Sequence, residues 1–209
     1  MIYLNSHSKP HRKLKEGKYI LYYMTKKVVN IKPKEYLQQG IRHCGGYTIK
    51  AILSAYNLDD GRHPKRYLLP NIKSLGFTTP KLIQETLKQY GFNATIKRAN
   101  KFSDNKKIQA IKNELDKNHP VILLIGNGYS PTGKYSELRM NCISHWISVW
   151  GYDEKERVFF IYDSCVDLKG YDKIPVGNVK RTYEQVLRDW KGAFYFRIKS
   201  FLYIPVIKK

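Results

Sequence analysis

The sequence lacks the features that mark membrane and secreted proteins. No segment approaches the run of about eighteen consecutive apolar residues that a membrane-spanning helix needs. The N-terminal stretch MIYLNSHSKPHRKLKEGK lacks the charged-then-apolar order and the small-residue cleavage site of a secretory signal. The chain has only 3 cysteines, an odd number that fits a reducing compartment better than a disulfide framework. We therefore expect a protein that is cytoplasmic, or exported without a cleavable signal peptide.

Acidic residues are scarce. The chain has 17 Asp and Glu against 38 Lys and Arg, a formal net charge of +21. A field of this sign attracts polyanions such as nucleic acid, an anionic membrane surface or an acidic protein. A solubilising, lysine-rich surface is the alternative explanation. No zinc-finger spacing, GxxxxGK[ST] phosphate loop or RNP-like aromatic signature accompanies the charge. Binding of a polyanion or acidic target is thus predicted from charge alone.

The chain also lacks internal repeats, low-complexity segments and any Pro/Gly/Ser-rich linker. Its 209 residues are enough for one large domain with a core of its own. We expect residues 1–34 to form a basic N-terminal extension, with a peripheral strand over Tyr19–Met24. Residues 35–209 are expected to form one domain.

Helical patterns dominate up to residue 118. Apolar residues recur at spacings of three and four in segments 44–56 and 104–117. A helix between them has Thr79 as its N-cap, Pro80 at its first position and Gly91 after its end. These three segments are predicted helices.

Strand patterns follow. Continuous apolar or β-branched runs predict strands at 120–125, 144–152, 157–163 and 193–206, and residues 126–141 are expected to form a loop. One more helix is predicted to begin at Thr182, where Gln185 completes a capping box. Helices first and antiparallel strands afterwards indicate an α+β domain of two lobes with a cleft between them.

Cys44 lies between a histidine and two glycines, at the start of the first predicted helix. A helix N-terminus offers unpaired N–H groups and the positive end of the helix dipole, which favour a thiolate. The position therefore suits a nucleophile. It also suits a small buried residue, because free cysteine is often buried.

Strand pairing suggests a partner for His145. A three-residue turn after Tyr152 would place Tyr152 opposite Glu156, Val149 opposite Phe159 and His145 opposite Asp163. Directly opposed side chains are about 5 Å apart, so the Asp163 carboxylate is expected to accept the Nδ1–H of His145. A four-residue turn would instead place Ser164 opposite the histidine. Asp153 lies roughly 26 Å away along the strand, out of reach.

A histidine held by a carboxylate can serve as a base or bind a metal. Cys44, Cys142, Cys165 and His145 could be combined into a Cys3His zinc site, but the sequence has no CxxC knuckle. We therefore expect no metal and no cofactor. The same strand pairing brings Cys142 and Cys165 close to the histidine, where they either pack or form a redox bridge.

Together these features resemble the papain-like cysteine peptidases. The resemblance rests on Gln38, six residues before Cys44, on a histidine about a hundred residues later that begins a strand, and on an aspartate that ends the next strand. It is closest to the bacterial double-glycine, bacteriocin-processing branch and covers residues 35 to 200. Its landmarks follow in order: HCGGYTIKAILSAY, LDKNHPVILLIG, SHWISVWGYD and YEQVLRDWKG. The resemblance implies a two-lobed papain-like fold, with the nucleophile helix of the N-terminal lobe packed on an antiparallel sheet.

By that resemblance Cys44 is the nucleophile, His145 the general base and acid, Asp163 the residue that orients it, and Gln38 the oxyanion donor. The adjacent Gln39 is the alternative donor. We expect the substrate to contact residues beside the nucleophile, in the 126–141 loop and beside the histidine, namely Gly45, Gly46, Tyr129, Tyr135, Arg139, Ser144 and Trp146. The sequence departs from relatives in that Ser164 and Cys165 follow the aspartate, where proline is usual.

The implied activity is peptide hydrolysis through a thioester intermediate. The same residues also serve deamidases, transamidases and acyltransferases, and we retain an exported effector of that kind as the alternative. A non-catalytic basic protein that binds polyanions is the third hypothesis. The intact set of Gln38, Cys44, His145 and Asp163 counts against it.

Overall fold

The computed structural model describes residues 26–40, 42–68, 78–168, 171–193 and 200–209. The predicted strand at 19–24 lies outside these residues. The α-helices of the described part are α1 (Cys44–Ala55), α2 (Pro80–Gln89), α3 (Asp104–Asp116), α4 (Glu137–Cys142) and α5 (Tyr183–Trp190). Its strands are β1 (Lys26–Val28), β2 (Phe92–Ala94), β3 (Lys97–Arg98), β4 (Val121–Gly126), β5 (Ser144–Asp153), β6 (Val158–Tyr162), β7 (Val179–Thr182) and β8 (Leu202–Lys208). Short 3-10 turns occupy Pro64–Arg66 and Tyr171–Lys173.

Helices with strong local signals begin where the sequence predicts. The Thr79 side chain accepts the N–H of Leu82, and Pro80 is the first residue of α2. At α5 the capping box is complete, because Thr182 and Gln185 exchange side-chain and backbone hydrogen bonds. Such caps satisfy N–H groups that a helix cannot pair internally, so they fix the helix ends.

The strands form one antiparallel sheet in the order β2-β8-β4-β5-β6-β7, with β1 added to β5 and β3 added to β8. The strands β1, β2, β3 and β7 were not predicted. They have only two to four residues each, too few to show a period. Residues 194–199 of the predicted 193–206 strand lie outside the described residues, and its last part is β8, which runs from Leu202 to Lys208.

Both faces of the sheet are covered by helices. On one face, α1 and α2 bury Ile52 and Ile83 against Trp150 and Phe160. On the other, α3 and α5 bury Ile111 and Trp190 with the alternate side chains of the same strands, such as Val149, Phe159 and Ile161. The α+β class, with the α1 helix packed on an antiparallel sheet, is confirmed. A second helical layer on the opposite face adds to it.

The predicted register of the β5–β6 hairpin is wrong. Tyr152 faces Phe159 instead of Glu156, a shift of three residues, because the turn is longer than expected. A bulge between Val149 and Gly151 removes one residue of that shift, so Val149 faces Ile161 instead of Phe159. The remaining register shift is two residues, and an even shift leaves each side chain on the face of the sheet that was predicted for it. His145 and Asp163 are therefore not directly opposed but still share a face of the sheet.

The segment at 126–141 is not all loop. Its last residues enter α4, where the Ser136 side chain accepts the N–H of Arg139. The six-residue helix ELRMNC has no buried residue and is too short to show an apolar period, which is why the sequence pattern missed it.

Close packing at the start of α1 yields a stability prediction. A Cβ at Gly46 would lie 2.3 Å from the carbonyl oxygen of Pro64, a backbone atom that cannot swing away. We expect Gly46→Ala to lower the free energy of unfolding by about 1–3 kcal/mol, measured by urea denaturation. Gly40→Ala is the matched control, because a Cβ there meets nothing within 4 Å. Equal stability of the two variants would contradict the packing argument.

Candidate active site

The N-terminus of α1 is left open by its capping residue. His43 adopts a left-handed conformation, with φ 79°, and its side chain makes no capping hydrogen bond. Its carbonyl accepts the N–H groups of Gly46 and Tyr47. Among the described residues, nothing accepts the backbone N–H groups of Cys44 and Gly45. A half-buried thiol thus lies beside unpaired donors at the positive end of a helix.

A hydrogen bond from Thr48 Oγ1 to the carbonyl oxygen of Trp146, 3.2 Å long, holds α1 against the start of β5. Thr48 lies one helical turn after Cys44, and Trp146 follows His145. The end of α1 that carries the thiol therefore lies beside the end of β5 that carries the imidazole.

Three of the predicted substrate-contacting residues are buried at this junction. A Cβ at Gly45 would lie 2.6 Å from Thr78 Cγ2, and Gly46 meets Pro64. The Trp146 indole is 2% exposed and donates its Nε1–H to the Thr78 carbonyl at 3.0 Å. Gly45, Gly46 and Trp146 thus contribute close packing around the nucleophile helix.

His145 and Asp163 form the buried pair that the sequence predicts. Their Nε2 and Oδ1 atoms are 2.7 Å apart, and the residues are 1% and 0% exposed. The contact uses Nε2, so the expectation that Nδ1 would face the carboxylate is wrong. The register shift moves Asp163 from the opposed to a diagonal position and presents the other ring nitrogen.

Asp163 is held from several sides. Arg181 of β7 donates Nη2–H to its Oδ2, and the backbone N–H of Cys165 donates to its Oδ1 at 2.9 Å. The Asn178 side chain bonds both backbone groups of the same residue, accepting the N–H and donating to the carbonyl, each at 2.8 Å. Position and rotamer of the carboxylate are therefore fixed.

These contacts set the ionisation of the pair. Burial raises the pKa of Asp163, but the charges of His145 and Arg181 outweigh it and hold that pKa far below its usual range. Burial lowers the pKa of His145, and the interactions with Cys165 and Asp163 reverse the effect and raise it well above 6.5. The pair is an aspartate and an imidazolium at neutral pH.

The other nitrogen of the imidazole faces a second thiol. Cys165 Sγ lies 3.8 Å from His145 Nδ1, whereas no hydrogen bond joins Cys44 to His145 among the described residues. Cys142 is exposed at the end of α4. The sequence placed Cys165 near the pair but gave no sign that it would contact the imidazole.

A shared metal site does not fit this arrangement. His145, Asp163 and Cys165 bring potential ligand atoms within 4.8 Å of one another. Asp163 meets Nε2 and Cys165 meets Nδ1, however, and these two nitrogens direct their lone pairs away from each other. One ion cannot bind all three side chains. The Cys3His set considered from the sequence also needs the exposed Cys142, which is not part of this cluster.

The two glutamines before Cys44 differ in their contacts. Gln38 is exposed and its side chain makes no hydrogen bond with the described residues. The Gln39 N–H donates to the Ser164 carbonyl at 2.8 Å, and its Oε1 accepts the Ser164 hydroxyl at 2.6 Å. The segment that leads to Cys44 is thus tied to the turn after Asp163.

The expected cleft wall is a network of aromatic and basic side chains. The Tyr129 and Tyr135 rings pack edge to face, 5.2 Å apart, and Arg139 donates to the Tyr129 carbonyl at 3.4 Å. Arg188 of α5 lies 3.6 Å over the Tyr135 ring and donates to the Tyr129 hydroxyl at 3.1 Å. The Arg181 guanidinium stacks on Tyr129 at 4.2 Å. The sequence did not single out either arginine, because nothing local distinguishes them among 38 basic residues.

The arrangement of these side chains agrees with the family to which most of the sequence is assigned. The model of the peptidase C39-like family matches residues 31–191. The chain belongs to this family. It is a cysteine-peptidase-like hydrolase, and the resemblance to double-glycine peptidases predicted from the sequence is confirmed. No helix among the described residues is long and apolar enough to cross a membrane.

One solved structure supports the fold, and two more are similar to the chain at lower scores. The peptidase domain of Streptococcus ComA, a bi-functional ABC transporter involved in quorum sensing, matches with a TM-score of 0.51 and 18% identity, over 83% of this chain and 97% of that one. A C39-like peptidase from Bacillus anthracis matches with a TM-score of 0.49 and 13% identity, over 88% of this chain and 98% of that one. A double-glycine motif protease from an AMS/PCAT transporter, solved in complex with the leader peptide, matches with a TM-score of 0.47 and 15% identity. The match covers 88% of this chain and 99% of that one. No curated protein sequence matches the chain.

The buried pair yields a titration prediction. Asp163→Asn removes the negative charge beside the imidazole and leaves Arg181 unpaired, so we expect it to lower the pKa of His145 below its wild-type value. The measurement is an NMR titration of the His145 ring, assigned by the loss of its signal in His145→Gln. Asp153→Asn, at the far end of β5, is the control and should leave that pKa unchanged. An unchanged titration in Asp163→Asn would mean that the contact does not hold the imidazolium.

Proposed function

We propose that this chain hydrolyses peptide bonds, with Cys44 as nucleophile, His145 as general base and acid, and Asp163 as the residue that orients the imidazole. Gln38 and the backbone N–H of Cys44 stabilise the oxyanion. The observation that carries the proposal is the buried His145–Asp163 contact of 2.7 Å, at the end of β5 against which α1 presents Cys44.

The chemistry follows from these groups. The Cys44 thiolate attacks the substrate carbonyl, and the carbonyl oxygen takes up negative charge. Donors aimed at that oxygen lower the barrier, by about 3 kcal/mol for a single donor. His145 then gives its proton to the leaving amine, which leaves a thioester. The neutral imidazole next takes a proton from water, and the hydroxide releases the acid and restores the thiolate.

The backbone favours Cys44 over Cys165 as the nucleophile, although Cys165 is in contact with the imidazole. An oxyanion donor must lie beside the nucleophile with its N–H unpaired. The N–H of Cys44 meets this condition, whereas the N–H of Cys165 already donates to Asp163 Oδ1. Cys165 also lies in the turn after β6, not at a helix N-terminus.

Two segments that carry buried, unpaired polar atoms flank the site. Ser144 Oγ and Arg139 Nε are buried and have no hydrogen-bond partner among the described residues. Ser144 precedes His145 in β5, and Arg139 lies in α4 beside the Tyr129 segment. We propose that the backbone of the peptide lies along these two segments, in contact with Tyr129 and Tyr135.

The three cysteines provide matched variants for a test of the nucleophile. Cys44→Ala should abolish peptide hydrolysis and remove the single fast adduct that substoichiometric iodoacetamide forms at pH 6. Cys142→Ala and Cys165→Ala should keep both the peptide hydrolysis and the fast adduct. Cys165→Ala should also raise the alkylation rate of Cys44, because His145 Nδ1 then has no contact with the Cys165 thiol. The measurements are intact-mass spectrometry and turnover of a peptide library. Loss of hydrolysis in Cys165→Ala with activity kept in Cys44→Ala would reverse the assignment.

The oxyanion donor is tested by comparing the two adjacent glutamines. Glutamate in place of glutamine keeps the shape but removes the N–H donor. Gln38→Glu should lower kcat by about 10²- to 10³-fold with little change in KM. Gln39→Glu should change kcat by less than about fivefold, because its Oε1 still accepts the Ser164 hydroxyl. The reverse ranking of the two variants would make Gln39 the donor.

A further inference from the structure

Arg181 is a buried cation with one anionic partner. The residue is 2% exposed, and its Nη2–H groups donate to Asp163 Oδ2. Its Nε and Nη1 atoms are buried and have no hydrogen-bond partner among the described residues. An arginine that served packing alone would be expected to use these donors as well, since leaving them unpaired in a dry site is costly. Among the described residues, the only hydrogen bond that the buried Arg181 guanidinium makes is therefore the one to Asp163.

A tyrosine from the cleft wall covers the guanidinium. The Tyr129 ring lies 4.2 Å from Arg181 Cζ, within cation–π range, and the Tyr129 hydroxyl accepts a hydrogen bond from Arg188. Arg188 in turn bonds Asp189 at 2.9 Å, so the one acidic side chain that α5 brings near Arg181 already has a partner. Tyr129 thus fixes the plane of the Arg181 guanidinium from one side.

We infer that Arg181 is a positioning residue of the active site, which holds the Asp163 carboxylate against His145, and that Tyr129 holds Arg181 in turn. This inference rests on the proposed function. It adds to the Cys44, His145 and Asp163 set a chain of contacts that runs from the cleft wall through Tyr129 and Arg181 to Asp163 and the imidazole.

The role is distinct from simple stabilisation, because Arg181 acts on the imidazole through charge and orientation. His145 faces Asp163 and Cys165, and Asp163 faces His145 and Arg181. Removing the guanidinium charge leaves the carboxylate to interact with the imidazolium alone. The pKa of His145 should then rise above its wild-type value, opposite to the effect of Asp163→Asn. The carboxylate, no longer clamped, should also orient the ring less well.

The experiment compares Arg181→Gln with Arg157→Gln in the full chain. Arg157 also pairs with a carboxylate, that of Glu184, and stacks on a tyrosine, Tyr183, but it is exposed. For Arg181→Gln we expect kcat for peptide hydrolysis to fall about 10²-fold with KM within twofold, and the His145 titration to move upward. For Arg157→Gln both should match the wild type. A folded Arg181→Gln protein with wild-type kcat and titration, or with its loss confined to KM, overturns the inference.

A second pair of variants covers the case in which Arg181→Gln does not fold. Tyr129→Leu removes the ring that covers the guanidinium, whereas Tyr129→Phe keeps it and loses only the hydroxyl. We expect Tyr129→Leu to lower kcat at least fivefold more than Tyr129→Phe, and to shift the His145 titration. Equal kcat values and titrations for the two variants overturn the inference.

These experiments distinguish a failure of the inference about Arg181 from a failure of the proposed function. If the wild type cleaves no peptide, or Cys44→Ala cleaves as well as the wild type, the proposed function fails. The His145 titration and the iodoacetamide reactivity of Cys44 still report on Arg181 in that case, because neither needs a substrate.

Discussion

The site depends on one buried carboxylate. Asp163 is fully buried and lies between the imidazole of His145 and the guanidinium of Arg181. A lone carboxylate in such a place would be protonated, and an imidazolium or guanidinium beside a neutral acid would be uncompensated. The carboxylate is thus ionised because of the two cations, and the imidazole stays protonated because of the carboxylate and Cys165. Two positive charges against one negative charge leave an excess that favours a thiolate or an oxyanion beside the imidazole, which is the charge that thioester chemistry requires.

The site forms only when three strands pair in the correct register and one helix packs in the correct place beside them. His145 comes from β5, Asp163 follows β6 and Arg181 comes from β7, while the Thr48–Trp146 hydrogen bond fixes α1 on the same strand. The bulge in β5 is part of this arrangement. It allows Trp150 to enter the core under α1 and α2 while Tyr152, two residues later, enters the core under α3 and α5. It also leaves His145 and Asp163 on one face.

The sequence predicts what is encoded locally. The N-termini of α2 and α5 are fixed by Thr79, Pro80 and the Thr182–Gln185 box, and both helices begin there in the structure. The hairpin register was not predictable, because turn length and the bulge depend on packing across two cores. The His145–Asp163 pair was nevertheless predicted, because an error of two residues preserves the face. Arg181 and the contact of Cys165 with His145 depend on the tertiary fold, and no local pattern indicates them.

The turn after β6 departs from the proline that the family resemblance leads one to expect after the aspartate. Proline after the aspartate would have no hydroxyl, whereas Ser164 here binds Gln39 through both its carbonyl and its hydroxyl. Cys165 donates its N–H to Asp163 and presents its sulfur to the free nitrogen of His145. Two adjacent residues therefore tie the approach to the nucleophile, the orienting carboxylate and the imidazole into one turn. Because Cys165 Sγ lies where a nucleophile would meet His145 Nδ1, the imidazole must exchange one thiol for another before Cys44 can react as proposed. The sequence of this turn, as much as the catalytic set itself, then governs how reactive Cys44 is in the resting protein.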